Sequence, residues 1–392
     1  MPGIDELDAI TQDELIATGA TRWARGEDVI GAFVAEMDFG TAAPITQRLH
    51  REVDRGAFGY LPSGMKAEMQ QATAEFLHRR TGWAVNPADI HEMPDVISVF
   101  EAVLDHFLRP GAKIIVPTPS YMPFLQVPAL HGREILEVEM VADEGGRYRY
   151  DLDALEAAFD AGGELLVLCN PHNPTGRVFS REEMEPLVEL VDRKGGRVFS
   201  DEIWMPLVLQ GEHVPYATLS ETAAGHALTA VAASKAFNLP GLKCAQMITS
   251  NDADRAHWNE VGHFPMHGAA NLGLAATSAA YDQGAAWLDD VVTYLRRNRE
   301  TLTELVTTLL PQARITTLEG TYVAWLDLRA YSITGSLHDQ LLEHARVECT
   351  DGTACGRSWE GFVRFIYAMP HPLLVEAITR IAEVLEPERA GR

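Results

Sequence analysis

An α/β fold built on a mostly parallel sheet is what this chain of 392 residues predicts, and three observations predict it. Short apolar, β-branched runs alternate with helical spacings through the middle of the chain, and near-continuous apolar runs suit strands covered by helices on both faces. The residues that carry chemistry follow those runs directly, at the carboxyl ends of strands where open α/β sheets bind ligands. The last third changes character, with a long amphipathic helix and two strand-like runs that suit a smaller α+β unit.

In chain order, the stretch to about residue 45 is irregular. Apolar residues recur at helical spacing over Met65–Leu77 and again over Val99–Leu108. Strand-like runs follow at Lys113–Pro117 and Glu164–Leu168, each ending in a Pro-containing loop. Ser180-Arg181-Glu182-Glu183 has the Ser-x-x-Glu form of a capping box, so a helix starts there and runs past Val191. Lys194-Gly195-Gly196 stops it, and Arg197–Ser200 reads as the next strand. Leu228–Ala232 is a further apolar run. Leu288, Val291, Val292, Leu295, Leu302, Leu305 and Leu309 fall three and four apart, interrupted only by Arg299, and predict one helix ended near Pro311. Thr321–Leu328 and Gly361–Tyr367 read as strands, and a final helix follows Pro372. The division expected is a large domain over 46–285 and a small one assembled from 1–45 and 286–392.

Composition sets limits on partners. The chain has 32 Lys+Arg against 56 Asp+Glu, a formal charge of −24. Phosphate backbones and anionic membranes are bound through cationic surfaces, so neither nucleic acid nor membrane is an expected partner. No apolar run approaches the roughly 20 residues of a membrane span. The acidic start Met1-Pro2-Gly3-Ile4-Asp5-Glu6 lacks the basic and apolar regions of a secretory signal, so a cytoplasmic location is expected. Cys169, Cys244, Cys349 and Cys355 are sparse, which suits reduced thiols and no metal site.

Four features carry chemistry. Asn170-Pro171-His172-Asn173-Pro174-Thr175-Gly176 follows a strand and makes a rigid turn, either a plain loop or one that offers an Asn side chain to a bound ring. Asp201, in Ser200-Asp201-Glu202 at a strand end, suits either a cationic ring nitrogen or a helix cap. Lys235 stands among Ala233, Ala236 and Phe237, where poor solvation lowers an amine pKa towards the nucleophilic range a Schiff-base lysine requires. A lysine can also snorkel to solvent from such a place. Arg364 interrupts the apolar strand Phe362–Ile366 and needs an anionic partner, internal or bound.

In sequence, Asn173, Asp201, Lys235 and Arg364 stand 28, 34 and 129 positions apart. With Ala35-Glu36-Met37-Asp38-Phe39, Phe58-Gly59-Tyr60, Ser234-Lys235-Ala236-Phe237-Asn238 and Thr321–Arg329, the chain resembles fold-type I pyridoxal-phosphate enzymes of the aminotransferase class I/II superfamily. The likeness is nearest to their cystathionine β-lyase, or C–S lyase, branch. The resemblance implies pyridoxal 5'-phosphate as cofactor and gives each residue a role. Lys235 is the Schiff-base lysine, with Ser234 beside it. Asp201 pairs with the pyridinium nitrogen, Asn173 with the phenolic oxygen, and Tyr121 stacks on the ring. The backbone amides of Val96 and Ile97 hold the phosphate at a helix start. Arg364 clamps the substrate α-carboxylate, and Asp38 lies on the substrate side. Tyr60 reaches the site of a neighbouring subunit, which implies a homodimer with shared active sites. Some positions depart from the pattern: Asp95 stands where Ser or Thr is common, Lys243 takes the place of a phosphate-binding Arg, and Trp204 replaces a Tyr or His. The loop Gly262–Gly268 carries two histidines, read as surface residues.

The activity implied is α,β-elimination at a cysteine S-conjugate, giving thiol, pyruvate and ammonia, with Lys235 as the base at Cα. Transamination or decarboxylating oxidative deamination of a related amino acid is the alternative, and a regulatory binding protein a third reading.

Overall fold

The computed structural model describes residues 3–331 and 335–387. Seven strands form the large sheet, in the spatial order Ile90–Met93, Ala245–Thr249, Ala227–Val231, Arg197–Asp201, Gly163–Cys169, Lys113–Thr118 and Ile135–Glu139. Ala245–Thr249 runs antiparallel to both its neighbours, and the other pairings are parallel. The central strands are buried along nearly their whole length, which is why they read as continuous apolar runs rather than alternating ones. Cys169 lies opposite Asp201, and Asp201 opposite Ala230, so three strand ends deliver their loops to one edge.

The helix Arg181–Lys194 starts as its sequence predicts: the Ser180 hydroxyl accepts from the Glu183 N–H, and the Glu183 carboxylate accepts from the Ser180 N–H at 3.0 Å. It stops at Gly195, whose φ of +63° is the left-handed conformation that suits glycine at a helix end. The helix Ser63–Thr81 extends a few residues beyond the apolar spacing that predicts it, whereas Val96–His106 starts three residues before its predicted Val99 and ends two before Leu108.

A second sheet has the order Arg314–Ile315, Val323–Asp327, Phe362–Ile366 and Thr350–Asp351, all antiparallel. Its middle register sets Trp325 and Thr350 on either side of Arg364. The long helix spans Ala285–Leu309, and the last one begins at His371, with Pro372 inside its first turn where a missing N–H leaves nothing unsatisfied. Within the long helix Asn298 is buried and donates to the carbonyls of Tyr367 and Met369 at 3.0 and 2.8 Å, a link that the apolar pattern does not predict.

We propose the division 46–285 against 1–45 with 286–392. The parallel pairing of Ile30–Gly31 with Val347–Glu348 supports it by joining both ends of the chain. The helix Ala43–Asp54 packs on Asn271–Gln283 and starts three residues before that boundary. The principal core is continuous across it, with Leu165 and Val231 in the same cluster as Val323 and Phe365. Among the described residues no helix is long and apolar enough to cross a membrane.

The capping box yields a stability prediction. Ser180→Ala removes the hydroxyl that satisfies the Glu183 N–H, and should lower unfolding stability by about 1 kcal/mol in urea titration.

Candidate active site

The strand ends described above open on a cavity of about 700 Å3 lined by residues of both sheets and of the N-terminal stretch. Lys235 follows the strand Ala227–Val231 and projects into it. Its amine donates to the Ala35 carbonyl at 2.9 Å and lies 5.8 Å from the centre of the Trp204 ring. Burial, and next the charge of Arg364, lower its pKa from 10.5 to about 8. The sequence argument from poorly solvating neighbours therefore holds, and snorkelling does not.

Asp201 ends its strand and is buried. Burial drives its pKa up from 3.8 to about 7, against the Ile203 N–H, which donates to Oδ1 at 3.2 Å, and the Cys169 thiol, 3.6 Å from Oδ2. A carboxyl held this way becomes fully ionised when a cation settles beside it. The Ile203 contact closes a turn and no helix starts there among the described residues, so Asp201 is not a helix cap.

Arg364 is buried in its strand and has no carboxylate partner among the described residues. Its Nε donates to Asn173 Oδ1 at 3.0 Å, and Nη1 donates to the Phe33 carbonyl at 2.8 Å and Thr350 Oγ1 at 3.3 Å. A guanidinium bonded only to neutral acceptors and facing a cavity is built to receive an anion. Asn173 comes from the turn after Gly163–Cys169, so one side chain joins the large-sheet loop to the small-sheet arginine.

The helix Val96–His106 points its N-terminus at the cavity, and Val96 and Ile97 line it. The first N–H groups of a helix have no internal partner, so this end attracts anions. Asp95 is its N-cap, accepting from the Ser98 N–H at 2.8 Å. Lys243 binds Asp95 Oδ2 at 2.8 Å, so it is engaged by a carboxylate and not a free cation for phosphate. Burial opposes ionisation of Asp95, but Lys243 and Ser98 outweigh it and the pKa is lowered. Tyr121, Ser234 and Trp204 also line the cavity, with Trp204 set edge-on to the buried Tyr322 at 4.7 Å.

Two expected residues stand elsewhere. Asp38 is buried off the cavity, accepting from the Trp23 indole at 2.9 Å and facing Arg22 at 3.5 Å, so it fixes the N-terminal stretch instead of touching a ligand. Tyr60 lies outside this cavity at 103% relative exposure, with Phe58 also exposed. His263 and His267 are surface residues, as expected. Sequence reasoning missed the carbonyls of Phe33 and Ala35, the thiol of Cys169, and Thr350. Carbonyls leave no trace in residue identity, and Cys169 and Thr350 became visible only once strand register placed them.

The family described as aminotransferase class I and II matches residues 28–381. A cystathionine beta-lyase of Corynebacterium glutamicum is 35% identical to this chain, covering 95% of it and 98% of the relative. A solved structure from Corynebacterium diphtheriae, described as a candidate PLP-dependent beta-cystathionase, is 38% identical with a TM-score of 0.89 and 98% of each chain covered. The PLP-bound C–S lyase of Staphylococcus hominis is 26% identical, with a TM-score of 0.88, 97% of this chain and 98% of that one covered.

Two predictions follow from the buried charges. In the ligand-free chain, cyanate labelling of Lys235, read by peptide mass spectrometry, should reach half its limiting rate near pH 8 rather than above 10. Asp201 binds its proton more tightly folded than unfolded, so its contribution to stability falls as pH rises from about 4 through about 7. Asp201→Asn in the ligand-free chain should therefore melt higher than wild type at pH 8, and the difference should vanish towards pH 4.

Proposed function

The chain belongs to the aminotransferase class I and II family, and from that premise we propose that it is a pyridoxal-phosphate-dependent carbon–sulfur β-lyase. Its substrate is a cysteine S-conjugate of the cystathionine type, and its products are a thiol, pyruvate and ammonia. One observation carries the reading: a desolvated lysine, a buried carboxyl and a buried arginine without an anion converge on a single cavity. The activities named for the relatives support the choice of reaction.

The residues present fit the cofactor. Lys235 would hold its aldehyde carbon, Asp201 its ring nitrogen and Asn173 its phenolic oxygen. Tyr121 would lie against the ring, and the Val96 and Ile97 N–H groups would take the phosphate. Lys243 contributes by neutralising Asp95, whose charge would otherwise oppose a phosphate at this helix end. When bound, the pyridoxal group supplies an electron sink for negative charge at the substrate Cα.

The chain's own residues do the rest. Arg364 orients the substrate by its α-carboxylate. The Lys235 amine, its pKa lowered to about 8, takes the proton from Cα and returns one to the departing sulfur. Trp204, packed on Tyr322, forms the side of the cavity 5.8 Å from the amine. The same proposal includes a homodimer in which Tyr60 reaches the other protomer's site, supported by the exposed aromatic pair Phe58 and Tyr60. It also includes a cytoplasmic location, supported by four free, buried cysteines.

Holoenzyme given cystathionine or an S-alkyl cysteine should release pyruvate and free thiol in equal amounts. Lys235→Ala should lower that rate by about a thousandfold or more, since a positioned base contributes on that order. A 2-oxo acid or aldehyde that keeps its sulfur, identified by mass spectrometry, would overturn the lyase reading in favour of transamination or decarboxylating deamination.

A further inference from the structure

The cavity has a charged mouth that none of the roles above uses. The N-terminal stretch is not irregular throughout, since it forms the helices Ile4–Asp8 and Gln12–Ala17, and Arg25, from the loop before the strand Ile30–Gly31, lines the cavity together with Glu348 and Asp351. Arg25 Nε lies 3.1 Å from both carboxylate oxygens of Glu348, and Nη2 lies 2.9 Å from Oε1. The side chain of Glu348 is 4% exposed and that of Arg25 58%, so a buried acid pins the base at the rim. This grip occupies one edge of the guanidinium, and Nη1 bonds nothing among the described residues. Asp351 Oδ1 accepts from the Thr353 N–H and hydroxyl, and its Oδ2 is likewise unengaged among the described residues.

The position of this pair gives it meaning. Thr350, next to Asp351, sits opposite Arg364 in the sheet and accepts from its Nη1. Glu348 pairs with Gly31, two residues before Phe33, whose carbonyl also receives Arg364 Nη1. The mouth charges thus share their backbone supports with the arginine that would take the α-carboxylate. Arg25, Asp351 and Arg364 line one cavity, so a substrate with one end on Arg364 would have its other end within that lining. A cation and an anion lining one cavity match a zwitterion, and a neutral alkyl group gives neither of them a partner.

The structure assigns Arg25 and Asp351 to recognition of a second amino-acid head group: we propose that Arg25 Nη1 takes the distal carboxylate, and Asp351 Oδ2 the distal ammonium, of a substrate with an amino acid at each end. This rests on the lyase reading for its substrate class. The guanidinium is held at an exposed rim and not buried, so its effect falls on KM more than on kcat.

The test compares cystathionine with S-methylcysteine in the holoenzyme of wild type, Arg25→Met, Arg25→Lys and Asp351→Asn. Arg25→Met and Asp351→Asn should each lower kcat/KM about tenfold more for cystathionine than for S-methylcysteine, chiefly through KM, the size expected for one charged hydrogen bond. Arg25→Lys should recover part of the difference. Calorimetric binding of the two amino acids to holoenzyme should show the same ordering, which reads recognition apart from turnover. Equal losses on both substrates, or equal binding of both by wild type, would overturn the assignment. Failure of wild type to release thiol from either substrate would instead sink the lyase reading, and the binding comparison would still decide this one.

Discussion

The backbone between Phe33 and Met37 runs without a strand partner, and buried carbonyls must be bonded somewhere. The functional side chains are where they are bonded. Phe33 accepts from Arg364, Ala35 from both Lys235 and Tyr322, Glu36 from Arg22, and Met37 from Asn238. With Thr350, whose hydroxyl also donates to the Phe33 carbonyl at 3.4 Å, six side chains thus converge on one short irregular run. It holds the lysine of the large sheet and the arginine of the small sheet in a fixed relation, at a place where neither sheet alone could. Asp38 belongs to this arrangement, anchoring the run through Arg22 and Trp23.

The electrostatics of the cavity follow from the same arrangement. Carbonyls and an amide oxygen are acceptors without net charge, so they orient Lys235 and Arg364 without neutralising them. Burial therefore pushes the Lys235 amine towards its neutral form and Asp201 towards its protonated form. Each departure from the ordinary charge state opposes folding, and each is relieved by a ligand of the right polarity: a cation beside Asp201, an anion before Arg364.

What could be read from the sequence divides along a physical line. Elements set by local chemistry were legible: the Ser180 capping box, the Gly195 stop, the buried strands and the long helix. So were side chains whose type alone is costly to bury, Lys235, Asp201 and Arg364, because an ionisable residue in an apolar run calls for an explanation wherever it sits. The rest depended on register or on distant pairing. The strand Ala245–Thr249 resembles any other apolar run, and nothing local reveals that it is antiparallel. The carbonyl of Ala35 cannot be inferred from an alanine. Lys243 looked like a phosphate ligand until its distance to Asp95, 148 residues earlier in sequence, turned one unexplained acid and one unexplained base into a single pair.

That pair also resolves how a chain of charge −24 can present a site for anions. Global charge acts through solvent, where screening cuts it off within about 10 Å at ordinary ionic strength. Inside the cavity the governing groups are near and poorly solvated, so a few of them outweigh the exterior. Asp95 is the one acid at the helix end facing the cavity, and Lys243 cancels it. Glu348, the acid at the mouth, is matched by Arg25. With those two acids neutralised locally, and Asp201 pushed towards its protonated form by burial, Arg364 and a helix N-terminus give the interior its positive character. The acidic surface therefore need not repel an anionic ligand from its seat, because Asp95 at the helix end and Glu348 at the mouth are each matched by a base.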